Sequence, residues 1–277
     1  MPAALIVHGG AGGWPAELQS ETDAGCARAA DAGWAVLRDG GTALAAVVAA
    51  VEVLEDDPVF NAGIGACLAA GGQVELDASV MDGGSGRGAG VAGLTTVRHP
   101  IQLAAALLAA GRPVLLAGAG AEALARRVGL ATQPPEAFVT ARQRRNWIAR
   151  AAERGTVGAV AVDRHGAVAA ATSTGGLTGK LAGRIGDSAV IGAGTYAAPF
   201  GAASATGPGE AIILAGLARV AVEGLDSGAD PTRVAADRVA RLARQPGGAG
   251  AGLILVDRFG RLGSATTAAA MPTARRG

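Results

Sequence analysis

The chain has 277 residues, half of them hydrophobic, which is ample material for a buried core. Its 24 basic and 23 acidic side chains leave a formal charge of +1, and this excludes the electrostatic footprint of a nucleic-acid or anionic-membrane binder. Two cysteines, Cys26 and Cys67, are too few for a disulfide framework, and 3% aromatic residues leave the core to Ala, Val, Leu and Ile.

In chain order, Leu5-Ile-Val7 reads as a buried strand that runs into His8-Gly-Gly-Ala-Gly12. The first residues carry no basic segment ahead of an apolar run, and no stretch approaches the ~18 uninterrupted apolar residues of a membrane span. The expectation is a soluble cytoplasmic protein. Thr22 to Asp39 is helix-like and stops at Gly40-Gly41; Thr42 caps a second helix from Ala43 to about Leu54. A glycine loop, Asn61-Ala-Gly-Ile-Gly65, follows Pro58. Gln73 to Val80 and Gly90 to Val97 read as strands, and Pro100 opens a helix of Leu and Ala. Residues 121–154 read as mostly helical, interrupted at Pro134-Pro135, with Ala141 to Gly155 almost wholly helix.

The second half is different. Thr156 to Val162 and Ala167 to Thr172 form a hairpin around Asp163-Arg-His-Gly166. Leu253 to Val256 and Arg261 to Ser264 repeat it around Asp257-Arg-Phe-Gly260. Helices are expected near Glu210–Glu223 and Pro231–Arg244, and the basic end Ala274-Arg-Arg-Gly277 reads as a solvated tail. The strands lack polar alternation, so both faces of each sheet should be covered. These elements predict an α+β protein of two antiparallel sheets sandwiched between helical layers, with residues 1–277 as a single structural domain.

The chemistry must come from somewhere other than metal or serine motifs. His8, His99 and His165 fall in no metal-ligand spacing, and neither Cys-x-x-Cys nor a Gly-x-Ser-x-Gly elbow occurs. His165 belongs to a turn, His99 to a loop before Pro100, and His8 reads as a structural hydrogen-bonder. What remains is threonine. Gly155-Thr156 opens a strand, and a threonine whose α-amino group is set free carries its own base, with a pKa of ~7.7–8.0. A preceding glycine leaves the bond between them open to attack. Taken alone this is weak, since a β-branched residue at a strand start needs no further reason. Downstream stand Thr172-Ser-Thr-Gly-Gly176, Gly183-Arg-Ile-Gly-Asp-Ser188, Gly192-Ala-Gly-Thr-Tyr196 and Thr206-Gly-Pro-Gly-Glu210. Arg184 suits an α-carboxylate and Asp187 an α-ammonium, though a surface ion pair is an equal reading. Thr206 and Gly207 offer a hydroxyl and an N–H to an oxyanion, though an ordinary helix start would look the same.

In this order, the segments from Gly155 to Glu210 resemble the plant-type asparaginase and isoaspartyl aminopeptidase family, a branch of the N-terminal nucleophile hydrolases. His8 to Gly12, Leu54 to Gly65, Leu76-Asp-Ala-Ser-Val-Met-Asp-Gly83 and His99-Pro100 extend the likeness over most of the chain. The resemblance implies an αββα sandwich made as a precursor that cuts itself between Gly155 and Thr156, giving subunits 1–155 and 156–277. It implies Thr156 as nucleophile, Thr174 as its hydrogen-bonding assistant, Thr206 and Gly207 as oxyanion hole, and Asn61 beside the nucleophile. Arg184, Asp187 and Gly209 would hold an aspartyl group. Catalysis would need no cofactor. A structural sodium ion would sit on main-chain carbonyls of Leu54, Glu55, Asp57, Phe60, Ala62 and Ile64. The partners implied are a small-molecule substrate, L-asparagine or a β-aspartyl dipeptide, and a second αβ unit in a homodimer, with no nucleic acid and no membrane.

Three departures stand out: Pro208 where a small residue is usual, Gly179 where Asn is usual, and a short segment before Thr156. Two other readings stay open. One is a glycosylasparaginase-like hydrolase with the same threonine chemistry; the other is an amino-acid-binding relative that never matures. A nucleotide-binding protein is disfavoured because Gly10-Ala-Gly12 and Gly118-Ala-Gly120 lack a third glycine at the required offset.

Overall fold

The structure is a computed structural model and describes residues 2–150 and 155–277. Its larger sheet has seven strands in the order β11-β1-β5-β6-β2-β3-β4. These are β1 (Ala4–His8), β2 (Leu76–Asp82), β3 (Arg87–Leu94), β4 (Leu115–Ala117), β5 (Val157–Val162), β6 (Val168–Thr174) and β11 (Thr273–Arg276). The smaller sheet orders β10-β9-β8-β7, with β7 (Thr195–Ala198), β8 (Gly201–Thr206), β9 (Gly252–Asp257) and β10 (Leu262–Thr266). Helices α1 (Gln19–Arg38), α2 (Ala43–Asp56) and α3 (Pro100–Ala110) cover the outer face of the larger sheet, while α7 (Leu217–Glu223) and α8 (Pro231–Ala243) cover the smaller. The four expected layers are present, with one difference. Strand β4 pairs parallel to β3, so the larger sheet is mixed rather than wholly antiparallel. The chain reaches β4 through α3, and a helical crossover returns it in the same direction as β3.

Helix ends follow local chemistry. Thr42 caps α2 by accepting the Ala45 N–H, and Pro100 occupies the first turn of α3. The expected helix over residues 210–223 is divided at Gly216, whose left-handed φ of 57° ends α6 (Gly209–Ala215) and starts α7. Residues 121–154 are less helical than expected. They contain the end of α4 (Gly118–Arg127), a 3-10 turn Pro135–Phe138 and α5 (Ala141–Ile148). Gly129 at φ 74° and the two prolines break the run, and α5 ends before Arg150, whose φ is 51°. Residues 151–154, read as helix from sequence, lie outside the described residues. The basic end is not a solvated tail either. It is edge strand β11, antiparallel to β1, with Arg276 Nε 2.7 Å from Asp31.

The layer between the sheets sets up the site. Paired strands put residues two apart on one face. On that face, β5 presents Val162, Val160 and Gly158 ahead of Thr156, and β6 presents Val168, Ala170, Thr172 and Thr174. Across from them β8 presents Ala202, Ser204 and Thr206. One end of the layer is apolar, where Ile6, Met81, Val160 and Val162 meet Ala202, Ile254 and Val256. Toward the other end it becomes a buried hydroxyl network. Ser204 Oγ lies 3.0 Å from His8 Nε2 and 2.8 Å from Thr172 Oγ1. The Thr195 hydroxyl donates to Thr172 (2.6 Å), and Ser79 Oγ reaches Thr195 (2.7 Å) and the Ser188 carbonyl (2.6 Å). Gly158 makes room for this network, because a Cβ there would collide with Ser204 Oγ and His8 Nε2. His8 is thus the structural hydrogen-bonder expected. Burial, against the pull of the Thr156 backbone, lowers its pKa to about 3 and keeps the ring neutral.

Candidate active site

Thr156 sits immediately before β5, at the polar end of the inter-sheet layer, and is 5% exposed. Strands β1 and β6 flank β5, so segments on both sides of the Gly155–Thr156 bond share the central part of one sheet. The Thr156 hydroxyl donates to Thr174 Oγ1 at 3.3 Å and lies 3.4 Å from Ser188 Oγ. Thr174 in turn donates to the Gly155 carbonyl (2.9 Å) and accepts the Gly176 N–H (3.0 Å). Asn61 donates its amide to the same Gly155 carbonyl at 2.9 Å and to the Gly176 carbonyl at 2.8 Å. The Cys67 N–H, 2.7 Å from Asn61 Oδ1, fixes which way that amide faces. The carbonyl that precedes the threonine therefore receives two directed donors, the arrangement that stabilises negative charge developing on a carbonyl oxygen. Gly10 holds the neighbouring backbone at φ 109°, where a Cβ would come within 3.0 Å of Thr156 N.

Beside the Gly155–Thr156 bond lies a cavity lined by Gly155, Thr156, Thr174, Gly176, Leu177, Arg184, Gly186, Asp187 and Gly207. Its free space is about 10 Å³, with Gly155 itself in the wall beside Thr156. Arg184 and Asp187 enter from the loop after β6 and a 3-10 turn at Asp187–Ala189. Two of their atoms are buried without a hydrogen-bond partner, Arg184 Nη2 and Asp187 Oδ2. Nη2 comes 2.8 Å from Glu210 Oε1 without aligning a proton on it, while Nε makes the true hydrogen bond at 2.9 Å. Gly209 lies against both groups, since a Cβ there would be 2.7 Å from Arg184 Nη2 and 2.9 Å from Asp187 Oδ1. Burial raises the Asp187 pKa to about 7, against the pull of Arg184. A guanidinium with hydrogen-bonding capacity to spare and a carboxyl oxygen without a partner, side by side where only glycine leaves room, can receive a group carrying both charges.

The loop that carries them is braced from below. Asp77 accepts the Gly93 N–H (2.9 Å) and the Gly186 N–H (3.3 Å), and Lys180 Nζ donates to the Glu75 carbonyl (2.9 Å). Neither these residues nor Ser188 was singled out from sequence. Ser188 directly follows Asp187, and a lysine within a glycine-rich loop was the available sign of burial. Thr206, at the end of β8, accepts the Ala11 N–H at 3.1 Å, and Gly207 after it takes φ 135° on the cavity wall. His99 and His165 lie away from this site. His99 Nε2 is 2.9 Å from Asp56, and His165 is exposed in its turn.

The loop from Leu54 to Ile64 crowds carbonyls together. The Glu55 carbonyl accepts the Ile64 N–H (2.8 Å), and the Asp57 carbonyl accepts that of Phe60 (3.1 Å). A Cβ on Gly63 would strike the Glu55 carbonyl, and one on Gly65 would stand 2.6 Å from the carbonyls of Phe60 and Pro58. The Glu55 carboxyl is turned away, held by Ser173 (2.6 Å) and the Ile101 N–H (3.0 Å). Of the six carbonyls in the implied sodium set, those of Glu55 and Asp57 thus each already accept a backbone N–H; neutral main-chain oxygens are the donor type that a hard monovalent cation takes.

A family model described as asparaginase matches residues 1–276. The chain belongs to the asparaginase family. It is a hydrolase by that membership. It is 41% identical over 271 residues to an isoaspartyl peptidase/L-asparaginase of Xenopus laevis, covering 94% of this chain and 87% of that protein. The protein of the same description from Homo sapiens is 38% identical over 283 residues, covering 98% and 92%. A plant-type L-asparaginase of Pyrobaculum calidifontis is 41% identical over 274 residues, covering 93% and 91%. No helix among the described residues is long and apolar enough to cross a membrane.

Proposed function

We propose that this family member is a self-cleaving amidohydrolase that releases L-aspartate from L-asparagine, from β-aspartyl dipeptides, or from both. The observation that carries the reading is that Arg184 and Asp187 line the same cavity as Thr156, with Asp187 Oδ2 buried and unpartnered and Arg184 Nη2 making no hydrogen bond beside its ion pair with Glu210. A free α-carboxylate and a free α-ammonium satisfy both. A sugar-linked asparagine has the same two groups. The glycosylasparaginase reading is therefore separated by what leaves the β-carbonyl, not by this pocket.

Maturation comes first. The Thr156 hydroxyl attacks the Gly155 carbonyl carbon while Asn61 and Thr174 hold the oxygen. The C–N bond breaks as the Thr156 nitrogen takes a proton, and the acyl group passes to the threonine oxygen. Water then hydrolyses that ester. The products are residues 1–155 and 156–277, which stay together because β1 and β2 of the first pair with β5 and β6 of the second.

The freed α-amine then accepts the hydroxyl proton as Thr156 attacks a β-aspartyl amide. Thr206 and Gly207 serve as oxyanion donors, and Gly209 leaves room for the aspartyl group between Arg184 and Asp187. Ammonia or an amine departs with the proton, and water releases aspartate. Sodium on the carbonyls of Leu54, Glu55, Asp57, Phe60, Ala62 and Ile64 would fix the loop that ends at Asn61 and supply no chemistry of its own. Aspartate release from L-asparagine and β-aspartyl-leucine by the cut protein tests the reading. Turnover of a substrate with its α-amine acetylated, at the rate of the free one, would refute it.

A further inference from the structure

A second cavity, of about 680 Å³, is lined by Ala70, Trp147, Ile148, Arg150, Thr178 and Gly179. The loop after β6 joins it to the site. Gly176 and Leu177 line the space beside Thr156, and the next two residues, Thr178 and Gly179, line the larger cavity. Its other wall is α5 and the residues after it. That wall does not depend on the scissile bond. Phe138 is fully buried, Arg142 donates to the Val59 carbonyl (2.7 Å), and Trp147 Nε1 donates to the Ala69 carbonyl (2.9 Å). The Trp147 ring lies flush on Gly72, where a Cβ would come within 3.3 Å of it. The anchors of Phe138, Arg142 and Trp147 therefore do not pass through the Gly155–Thr156 bond.

We propose that this cavity binds the leaving half of a β-aspartyl dipeptide, and that it makes the protein favour dipeptides with a large apolar second residue over L-asparagine. The inference rests on the reading that Thr156 cleaves β-aspartyl amides. The aspartyl half is taken up by Arg184 and Asp187, in the place beside Thr156 that Gly155 occupies before cleavage. Whatever is attached to the β-nitrogen must leave that space, and the loop whose Gly176 and Leu177 line it continues directly into Thr178 and Gly179 of the outer cavity. The outer cavity offers the two things such a residue presents. Trp147 and the 69% exposed Ile148 offer apolar surface to a side chain. Arg150, for which no carboxylate partner is seen among the described residues, offers a cation to the terminal carboxylate. Ammonia, the leaving group of L-asparagine, gains nothing from either. Gly179 adds to the room, since at φ 75° a Cβ there would meet nothing within 4 Å.

The test is the ratio of kcat/KM for β-aspartyl-phenylalanine to that for L-asparagine, measured on the cleaved protein. In the unaltered protein the ratio is about tenfold or more. Trp147→Ala lowers it about tenfold. Gly179→Asn, which a left-handed backbone tolerates, lowers it several-fold by narrowing the cavity and guards against loss of α5 packing in the tryptophan variant. Replacing the dipeptide's terminal carboxylate by an amide costs the unaltered protein about fivefold and costs Arg150→Ala nothing further. If both substrates are hydrolysed and the ratio stays the same in Trp147→Ala and Gly179→Asn, the leaving-group site is refuted while the aspartyl site stands. If neither substrate yields aspartate, the amidohydrolase reading itself fails and takes this one with it.

Discussion

The two ends of the inter-sheet layer are built from the same strands and hold together for opposite reasons. At one end Val160, Val162, Ile6 and Ile254 exclude water and leave nothing polar to satisfy. At the other, two residues further along each strand, His8, Thr172, Thr195, Ser204 and Ser79 are equally buried, and hydroxyl hydrogen bonds carry the packing. One step beyond stand Thr156, Thr174, Arg184 and Asp187, where Asp187 Oδ2 is left without a hydrogen-bond partner and Arg184 Nη2 has only its ion pair with Glu210. The gradient from apolar to satisfied polar to unsatisfied polar is the gradient from stability to function.

The largest effect should come from the far polar end. Thr156→Ala removes the proposed nucleophile and base together, so both cleavage and aspartate release should be abolished, read by denaturing gel and by product assay. Asp187→Asn comes next, and it should separate function from stability. Removing the charge that meets the α-ammonium should lower kcat/KM about 100-fold. The pKa of Asp187 is raised by burial, so its native form holds a proton that the unfolded form gives up between pH 3.8 and about 7. Stability associated with this group is full below that window and is lost as pH rises through it. At pH 8 the asparagine variant should therefore melt about 3 °C higher than the unaltered protein. For the same reason the kcat/KM of the unaltered protein should climb with pH through about 7, and in the variant only the rise from the Thr156 α-amine, at ~7.7–8.0, should remain.

The middle of the layer sharpens the comparison. Thr172→Val keeps shape but strips partners from Ser204 and Thr195, which should cost about 2 kcal/mol in denaturant unfolding. It should also slow self-cleavage several-fold, because the network ends on the Ser188 carbonyl and on His8 behind Thr156. Val160→Ala, two strand positions from Gly158 at the apolar end, should cost a similar amount, about 2 kcal/mol, and leave the cleavage rate as it was. Equal slowing by both would mean that the hydroxyls serve only as packing. The smallest effect belongs to the surface. Asp31→Ala breaks an exposed pair with Arg276 and should leave the melting temperature and activity at their original values.

Much of this was legible in the chain. The two Asp-Arg-x-Gly hairpins were visible as an echo, and the structure gives the reason for it. Asp163 Oδ1 accepts the His165 and Ala167 N–H groups, as Asp257 Oδ1 accepts those of Phe259 and Arg261. The threonine at the strand start and the Arg184–Asp187 spacing were also readable, since both lie within short, locally ordered segments. The parallel β4 was not, because three residues between Gly111-Arg-Pro113 and Gly118 are too short to show a strand pattern and become a strand only when β3 offers an edge. Nor was the strand at the basic end, where pairing with β1 overrides the charge of Arg275 and Arg276. The roles of Lys180 and Asp77 depend on burial, which only the fold supplies, and Lys180 carries a pKa lowered by that burial. The wall made by Trp147 was hidden likewise, as its nearest partners lie some seventy to eighty residues earlier in the chain.

The most direct test of the central claim is intact mass spectrometry of the purified chain over several days. Cleavage at one place, leaving fragments that end at Gly155 and begin at Thr156 and remain associated under native conditions, is the predicted result. A single 26.8 kDa chain that persists unchanged for weeks, or a cut at any other bond, would contradict it.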